Sequence, residues 1–233
     1  MPDDEVARIL REAVDGRPPP PDGRVTVLPQ PPGPVAGILA FAGHHVIAAD
    51  VDPAWVLERL APGDLSAPVG AAFVADLTAE LGVGPDNLDV VLAGRGTGRG
   101  AGALVRSASL DLGHPRVDRS ASYRTDVQVF TTAGGEGLLI VARGLAGRWE
   151  TAFEVEPHAR GRGLGRALAA AALDLVPAGE ALFVAVAPGN VPSLRAVLAT
   201  TAFAPIGAEI LFPVGPSPST PPKPGAATRR IAS

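Results

Sequence analysis

Apolar residues along the chain recur with two periods. Residues 3 to 15 place Val6, Ile9, Leu10 and Val14 on one side of a helix, and the prolines from Pro18 to Pro21 end it. A proline-rich connector then runs to Pro34 and carries one short extended piece, Val25 to Leu28. Residues 35 to 49 are apolar and suit strands. Asp52-Pro53 opens a helix through Trp55, Val56, Leu57 and Leu60, and a second helix is predicted over 69 to 81. A short strand follows at 88 to 93, and the glycines from Gly94 to Gly102 form a turn or loop. Four successive strands are predicted at 105–112, 123–132, 137–145 and 149–155. An Ala/Leu-rich helix follows from Leu164 to Val176, then strand, helix and strand to Phe212. This order describes an α/β (α+β) protein with a mixed, mostly antiparallel sheet flanked by helices. It divides the chain into an N-terminal helix and connector (1–34), a main domain (35–213) and a tail (214–233) that reads as disordered.

Composition narrows the function. Hydrophobic residues make up 46% and charged residues 19%, enough apolar material for a real core. The net charge of −4 gives no support to nucleic-acid binding or to a basic membrane-binding patch. No cysteine is present, so thiolate zinc sites and a Cys nucleophile are excluded. No apolar run reaches the ~18 residues of a membrane span, and no signal-peptide core follows the acidic Met1 to Glu5. A cytoplasmic protein is the expectation. His44, His45, His114 and His158 lack metal-ligand spacing, so no metal site is expected. Gly96-x-Gly98-x-x-Ala101 has the outline of a dinucleotide fingerprint, but the residues after it read as extended, and the required helix is missing.

The chemically dense stretch lies between the strand ending at Val155 and the helix opening at Leu164. It reads Val155-Glu156-Pro157-His158-Ala159-Arg160-Gly161-Arg162-Gly163-Leu164-Gly165-Arg166. A strand that turns through glycines into a helix N-terminus offers free N–H groups and the positive end of the helix dipole to an anion. Glycines let the backbone approach closely, and arginines add positive charge.

The pattern Arg160-x-x-Gly163-x-Gly165, preceded by Val155-x-Pro157, resembles the acetyl-CoA loop of the GNAT superfamily of N-acyltransferases. The resemblance continues through Val184 to Pro188, where a strand ends in Asn190-x-x-Ser193, and closes with Phe203 to Phe212, similar to the family's final strands. It covers roughly residues 122 to 213, leaving 35–120 as the acceptor-side, variable part and the first 34 residues as an extension. It implies a GNAT-like fold and transfer of an acetyl group from acetyl-CoA to a small-molecule or peptide amine. Phe153, Glu154 and Val155 are then expected beside the pantetheine, and Gly161, Arg162, Gly163, Leu164, Gly165 and Arg166, with Arg160, around the pyrophosphate. Asn190 and Ser193 are expected near the pantetheine.

The chemistry needs a proton acceptor for the attacking amine. Glu150 is the first candidate by depth along its strand, and Glu154 the second. Strict alternation puts both on one face, with Phe153 and Val155 on the other; a bulge would alter that phase. Glu150 could equally serve as an ion-pair partner of Arg148 or Arg143. Many family members carry a Tyr seven residues after the Asn to protonate the thiolate; that position is Val197 here, and the one tyrosine of the chain is Tyr123. The alternative to an enzyme is therefore a noncatalytic acyl-CoA-binding module. The acceptor's identity stays open, and a homodimer is an open option. The tail carries a simpler expectation: it has too few apolar residues to offset the entropy of ordering. Truncation after Gly215 should leave the melting temperature unchanged, and a fall of several degrees would show that the tail docks on the domain.

Overall fold

The computed structural model describes residues 4–110 and 113–215; the tail from 216 onward lies outside them. The first helix, α1 (Glu5–Val14), starts where the Asp4 carboxylate accepts the Ala7 N–H at 3.0 Å, and it buries Val6, Ile9, Leu10 and Ala13. β1 (Val25–Leu28) follows, then the hairpin β2 (Ala36–Phe41) and β3 (His44–Ala48). Asp52 caps α2 (Pro53–Leu57) by accepting the Ala54 N–H at 2.8 Å. α3 (Ala71–Leu81) ends on Gly82 in the left-handed conformation. The remaining elements are β4 (Leu88–Arg95), β5 (Val105–Arg106), α4 (Pro115–Tyr123), β6 (Thr125–Thr131), β7 (Gly137–Arg143), β8 (Trp149–Val155), α5 (Leu164–Asp174), β9 (Ala181–Val186), α6 (Val191–Leu198) and β10 (Ala204–Phe212).

Among the described residues ten strands join one sheet in the order β1-β3-β2-β10-β4-β9-β8-β7-β6-β5. Neighbours run antiparallel except β1 with β3 and β8 with β9. β10, the last of the described strands, lies in the middle and pairs with β2 on one side and β4 on the other. It ties the N-terminal strands to the rest of the sheet. The fold is the mixed α/β, mostly antiparallel arrangement expected.

Helices cover both faces. On one face α5 presses Leu168, Ala169, Ala172 and Leu173 onto Leu92, Leu139, Leu182 and Val184, and α2 and α3 cover Ile38, Ile47, Ile210 and Phe212. On the other, α1 packs Val6, Ile9 and Leu10 against Leu39, Phe41, Val91 and Phe183, while Val117 of α4 meets Val129, Ile140 and Ala142. Among the described residues no helix is long and apolar enough to cross a membrane.

Three elements differ from expectation. The strand expected over 105–112 is reduced to the two residues Val105 and Arg106, and residues 111 and 112 lie outside the described part. β4 runs on through Gly94 and Arg95, into the stretch expected to be loop. Gly94 pairs with Leu182 in the ladder, and the position takes glycine because a Cβ there would come 2.7 Å from the Ala202 carbonyl oxygen. Helix α4 has no counterpart in the sequence reading. Only Val117 and Ser120 are buried in it, so it carries no apolar period; it begins because His114 caps it and Pro115 fits its first turn.

Leu168 is 1% exposed between α5 and the sheet. Leu168→Ala should destabilise the fold by about 2–5 kcal/mol, read as a lower urea midpoint with an unchanged slope.

Candidate active site

β8 and β9 share a ladder only at Trp149↔Leu182 and Glu150↔Phe183. Beyond that point β8 stays on β7 as far as Gly137↔Val155, and β9 stays on β4 as far as Val90↔Val186. The two strands therefore part like a V. Its opening leads into a cleft of about 390 Å³. Thr151 to Glu154 and Val184 to Ala187 form its edges, Asn190 and Ser193 one end, and α4 with the start of β4 the opposite wall. The β7–β8 register runs without a shift, so strict alternation holds in β8. Phe153 and Val155 pack toward α5, and Glu154 lies in the cleft wall.

The chain leaves β8 through one 3₁₀ turn, Pro157–Ala159. Arg160 folds back, its Nε donating to the Val155 carbonyl at 2.9 Å. Gly161 and Gly163 follow with φ of 75° and 83°, a region costly for residues with a Cβ. Gly163 caps α5 without a side-chain hydrogen bond, so the first-turn N–H groups of Leu164, Gly165 and Arg166 have neither helical nor capping partners. A Cβ on Gly165 would lie 3.4 Å from the Ala196 methyl and 3.6 Å from the Phe153 ring. α5, α6 and β8 thus converge at this turn. Arg162 and Arg166 are exposed beside it. The arrangement is an anion cradle placed directly after the open edge of β8.

Across the cleft, the Asn190 side chain accepts the Ser193 N–H at 3.3 Å and caps α6. Val197 is fully buried in the core, so an apolar side chain occupies the position where the GNAT pattern has a tyrosine.

The two candidate carboxylates have different surroundings. Glu150 is 3% exposed and does not line the cleft. Its Oε1 accepts Arg148 Nε at 2.7 Å and the Leu145 N–H at 3.3 Å, and its Oε2 accepts Arg124 Nε at 2.7 Å. Arg148 continues to Glu209 with a second bond of 2.7 Å. Burial alone would push the Glu150 carboxyl up, but Arg148 and Arg124 outweigh it and hold the group down to about 2. A buried carboxylate with three donors is the anchor of an ion network, and Glu150 stands outside the cleft lining. The ion-pair role read for it from the sequence is the one this geometry supports, with Arg148 and Arg124 as partners; Arg143 stacks instead on the Trp149 ring, 3.5 Å from its centroid. Glu154 does reach the cleft, where it accepts Arg116 Nε at 2.7 Å, and that bond keeps its carboxyl below the ordinary range.

Residues that the sequence reading passed over complete the far wall. α4 brings Arg116, Arg119, Tyr123 and Arg124 to the cleft, and the turn into β4 brings Asp86 and Asp89. Arg119 pairs with Asp86 and lies over the Tyr123 ring, 5.1 Å from its centroid. Burial raises the Tyr123 phenol above its ordinary value. Asp89 has a buried Oδ1 that makes no hydrogen bond with the protein. The only sequence signal for this group was acidic residues at the start of a strand; their relation to Arg119 depends on α4, whose composition conceals it.

Residues 138–198, from β7 to the end of α6, match the sequence model of the acetyltransferase (GNAT) family. The chain is GNAT-like there. The match contains the splayed strands, the glycine turn and the Asn190 cap. Two solved structures match part of the chain: a GCN5-related N-acetyltransferase from Sphaerobacter thermophilus, and a GNAT-family acetyltransferase from Colwellia psychrerythraea. The first is 14% identical with a TM-score of 0.36, over 63% of this chain and 57% of that one. The second is 10% identical with a TM-score of 0.35, over 61% of this chain and 62% of that one. The chain thus spans less than two thirds of either structure. No curated protein matches it.

Removing the charge of Glu150 leaves the buried Arg148 and the half-buried Arg124 each short of a partner. Glu150→Gln should cost about 3–5 kcal/mol at pH 7 in urea unfolding. Because the folded carboxyl is depressed from 4.5 to about 2, its contribution is present above pH 4.5 and lost as the pH falls through about 2. The variant should be the less stable protein at pH 7, and the gap should narrow in acid.

Proposed function

We propose that the protein transfers an acetyl group from acetyl-CoA to a primary amine of a small molecule or peptide. The observation that carries this reading is the glycine turn and uncapped helix start that follow directly on an unpaired strand edge. The N–H groups of Leu164, Gly165 and Arg166 suit the pyrophosphate, with Arg160, Gly161, Arg162 and Gly163 forming the rest of the cradle. The open edges of β8 and β9 suit the amide groups of a pantetheine, beside Phe153, Glu154 and Val155. The Val155 carbonyl is already taken by Arg160, which ties the cradle to the end of β8. Asn190 and Ser193 stand at the end of the cleft, where capping and ligand contact are compatible. A thioester held this way has its carbonyl fixed against the α4 side of the cleft, from which an amine can approach. A cytoplasmic location, where acetyl-CoA is available, belongs to the same reading.

A second reading has its own support. The apolar Val197 and the locked Glu150 fit a noncatalytic acyl-CoA-binding module that keeps the cradle without the proton transfers. Calorimetric titration with acetyl-CoA, followed by CoA release across a panel of primary amines, separates the two. Binding with turnover supports the transferase, and binding without turnover the module.

Gly163→Asp would force a side chain onto a backbone with φ of 83° and set a negative charge against the pyrophosphate. Loss of a charge-assisted contact is worth about 1.5–3 kcal/mol, so acetyl-CoA should bind at least about tenfold more weakly. Equal affinity in calorimetry would remove the cofactor from this turn.

A further inference from the structure

The arginines in the cleft wall are all taken. Arg116 is bonded to Glu154, Arg119 to Asp86, and Arg124 to Glu150. Their partners account for every carboxylate that lines the cleft except Asp89, the one cleft carboxylate without a hydrogen-bonded cation among the described residues. The cleft therefore has a single uncommitted negative charge, partly withdrawn from water.

Its position is informative. β4 and β9 pair with Val90 opposite Val186 and Val91 opposite Ala185. Asp89 therefore stands beside the end of β9, on the face that carries Ala185 and Ala187. Both lie in the cleft wall. Adjacent strands are about 4.8 Å apart, and on this face β9 presents only methyl groups between Asp89 and the opening of the V. A carboxylate here looks across small side chains toward the point where the thioester carbonyl is expected. On the other side of β4, Asp89 is opposite Glu209 of β10.

We propose that Asp89 receives the ammonium of the acceptor and takes its proton. The proposal rests on the acetyl-transfer reading above. The ammonium supplies the missing cation for Asp89 and gives up one N–H proton to its carboxylate, leaving a lone pair on nitrogen. The nitrogen attacks the thioester carbonyl carbon, and a C–N bond forms. As the tetrahedral centre collapses the C–S bond breaks, and the sulfur leaves with the second amine proton. Asp89 returns its proton to water before the next cycle. The surrounding charges suit this task. Burial first, then Asp86 and Glu209, raise the Asp89 carboxyl to about 6, while Arg119 and Arg124 on α4 limit the rise. Such a group is ionised at neutral pH yet basic enough to hold a proton. Tyr123, the remaining titratable group on that wall, is raised as well and stays a phenol.

The test uses the full chain, acetyl-CoA, and spermidine, tyramine, alanine amide and a lysine-ended peptide as amines. Asp89→Asn should bind acetyl-CoA within about twofold of wild type, while kcat/KM for the best amine falls about 10²–10⁴-fold. The wild-type kcat/KM should rise with pH through about 6, and that limb should vanish in Asp89→Asn and return in Asp89→Glu. The structural control runs the other way. An Asp raised from 3.8 to about 6 is strained when ionised, so Asp89→Asn should melt at or above the wild-type temperature at pH 8. An Asp89→Asn protein that keeps its rate and its acidic limb overturns the assignment. So does wild-type protein that binds acetyl-CoA and acetylates none of the amines. Wild-type protein that fails to bind acetyl-CoA overturns the reading of the cleft itself, and Asp89 falls with it.

Discussion

β8 and β9 begin as neighbours and end on different partners because each has a longer ladder on its other side. β8 makes seven residue pairs with β7, and β9 makes six with β4, against two between β8 and β9. The sheet twists, and the strands part at the parallel pair with the fewest rungs. The gap between the strands, the cleft beneath α4 and the direction in which the chain enters the glycine turn all follow from that parting.

The vertex of the V is fastened by charge. Glu150 sits on the last shared rung, opposite Phe183, and holds Arg148 and Arg124 at once. Through Arg124 the same carboxylate holds the end of α4, while Arg116–Glu154 and Arg119–Asp86 hold its body. A helix with only Val117 and Ser120 buried has little hydrophobic reason to lie there. Its ion pairs set it over the cleft, and they also neutralise each arginine that it brings. A wall of three arginines therefore presents almost no free positive charge, and Asp89 becomes the chemically distinct group.

This division explains what could be read from residues alone. α5, α6, β7 and β8 have long apolar periods or turn signals with a local cause, and the glycine turn depends on neighbouring residues only. Those parts were visible in the sequence. α4 was not, since its contacts with Glu154, Asp86 and Glu150 lie 38, 33 and 26 residues away and leave no local period. Glu150 shows the same effect in reverse. Its depth on β8 could be counted, but its burial depends on Arg124, which only the missed helix brings near. Asp89 escaped notice because a carboxylate without a partner is defined by what surrounds it.

The place of β10 bears on how the chain comes to be folded. The strand that closes the sheet between β2 and β4 comes last in chain order among the described strands. Until residues 204–212 have emerged, the hairpin of β2 and β3 has one edge bare, and β4 has neither of its neighbours, since β9 is late as well. Sheets that close by such distant pairings fold slowly, because loop-closure entropy is lost before the contacts that reward it are made. A partly made chain would hold apolar strand edges open, the form most prone to pair with other chains. The emergence of residues 204–212 thus ends the interval in which those strand edges stand open.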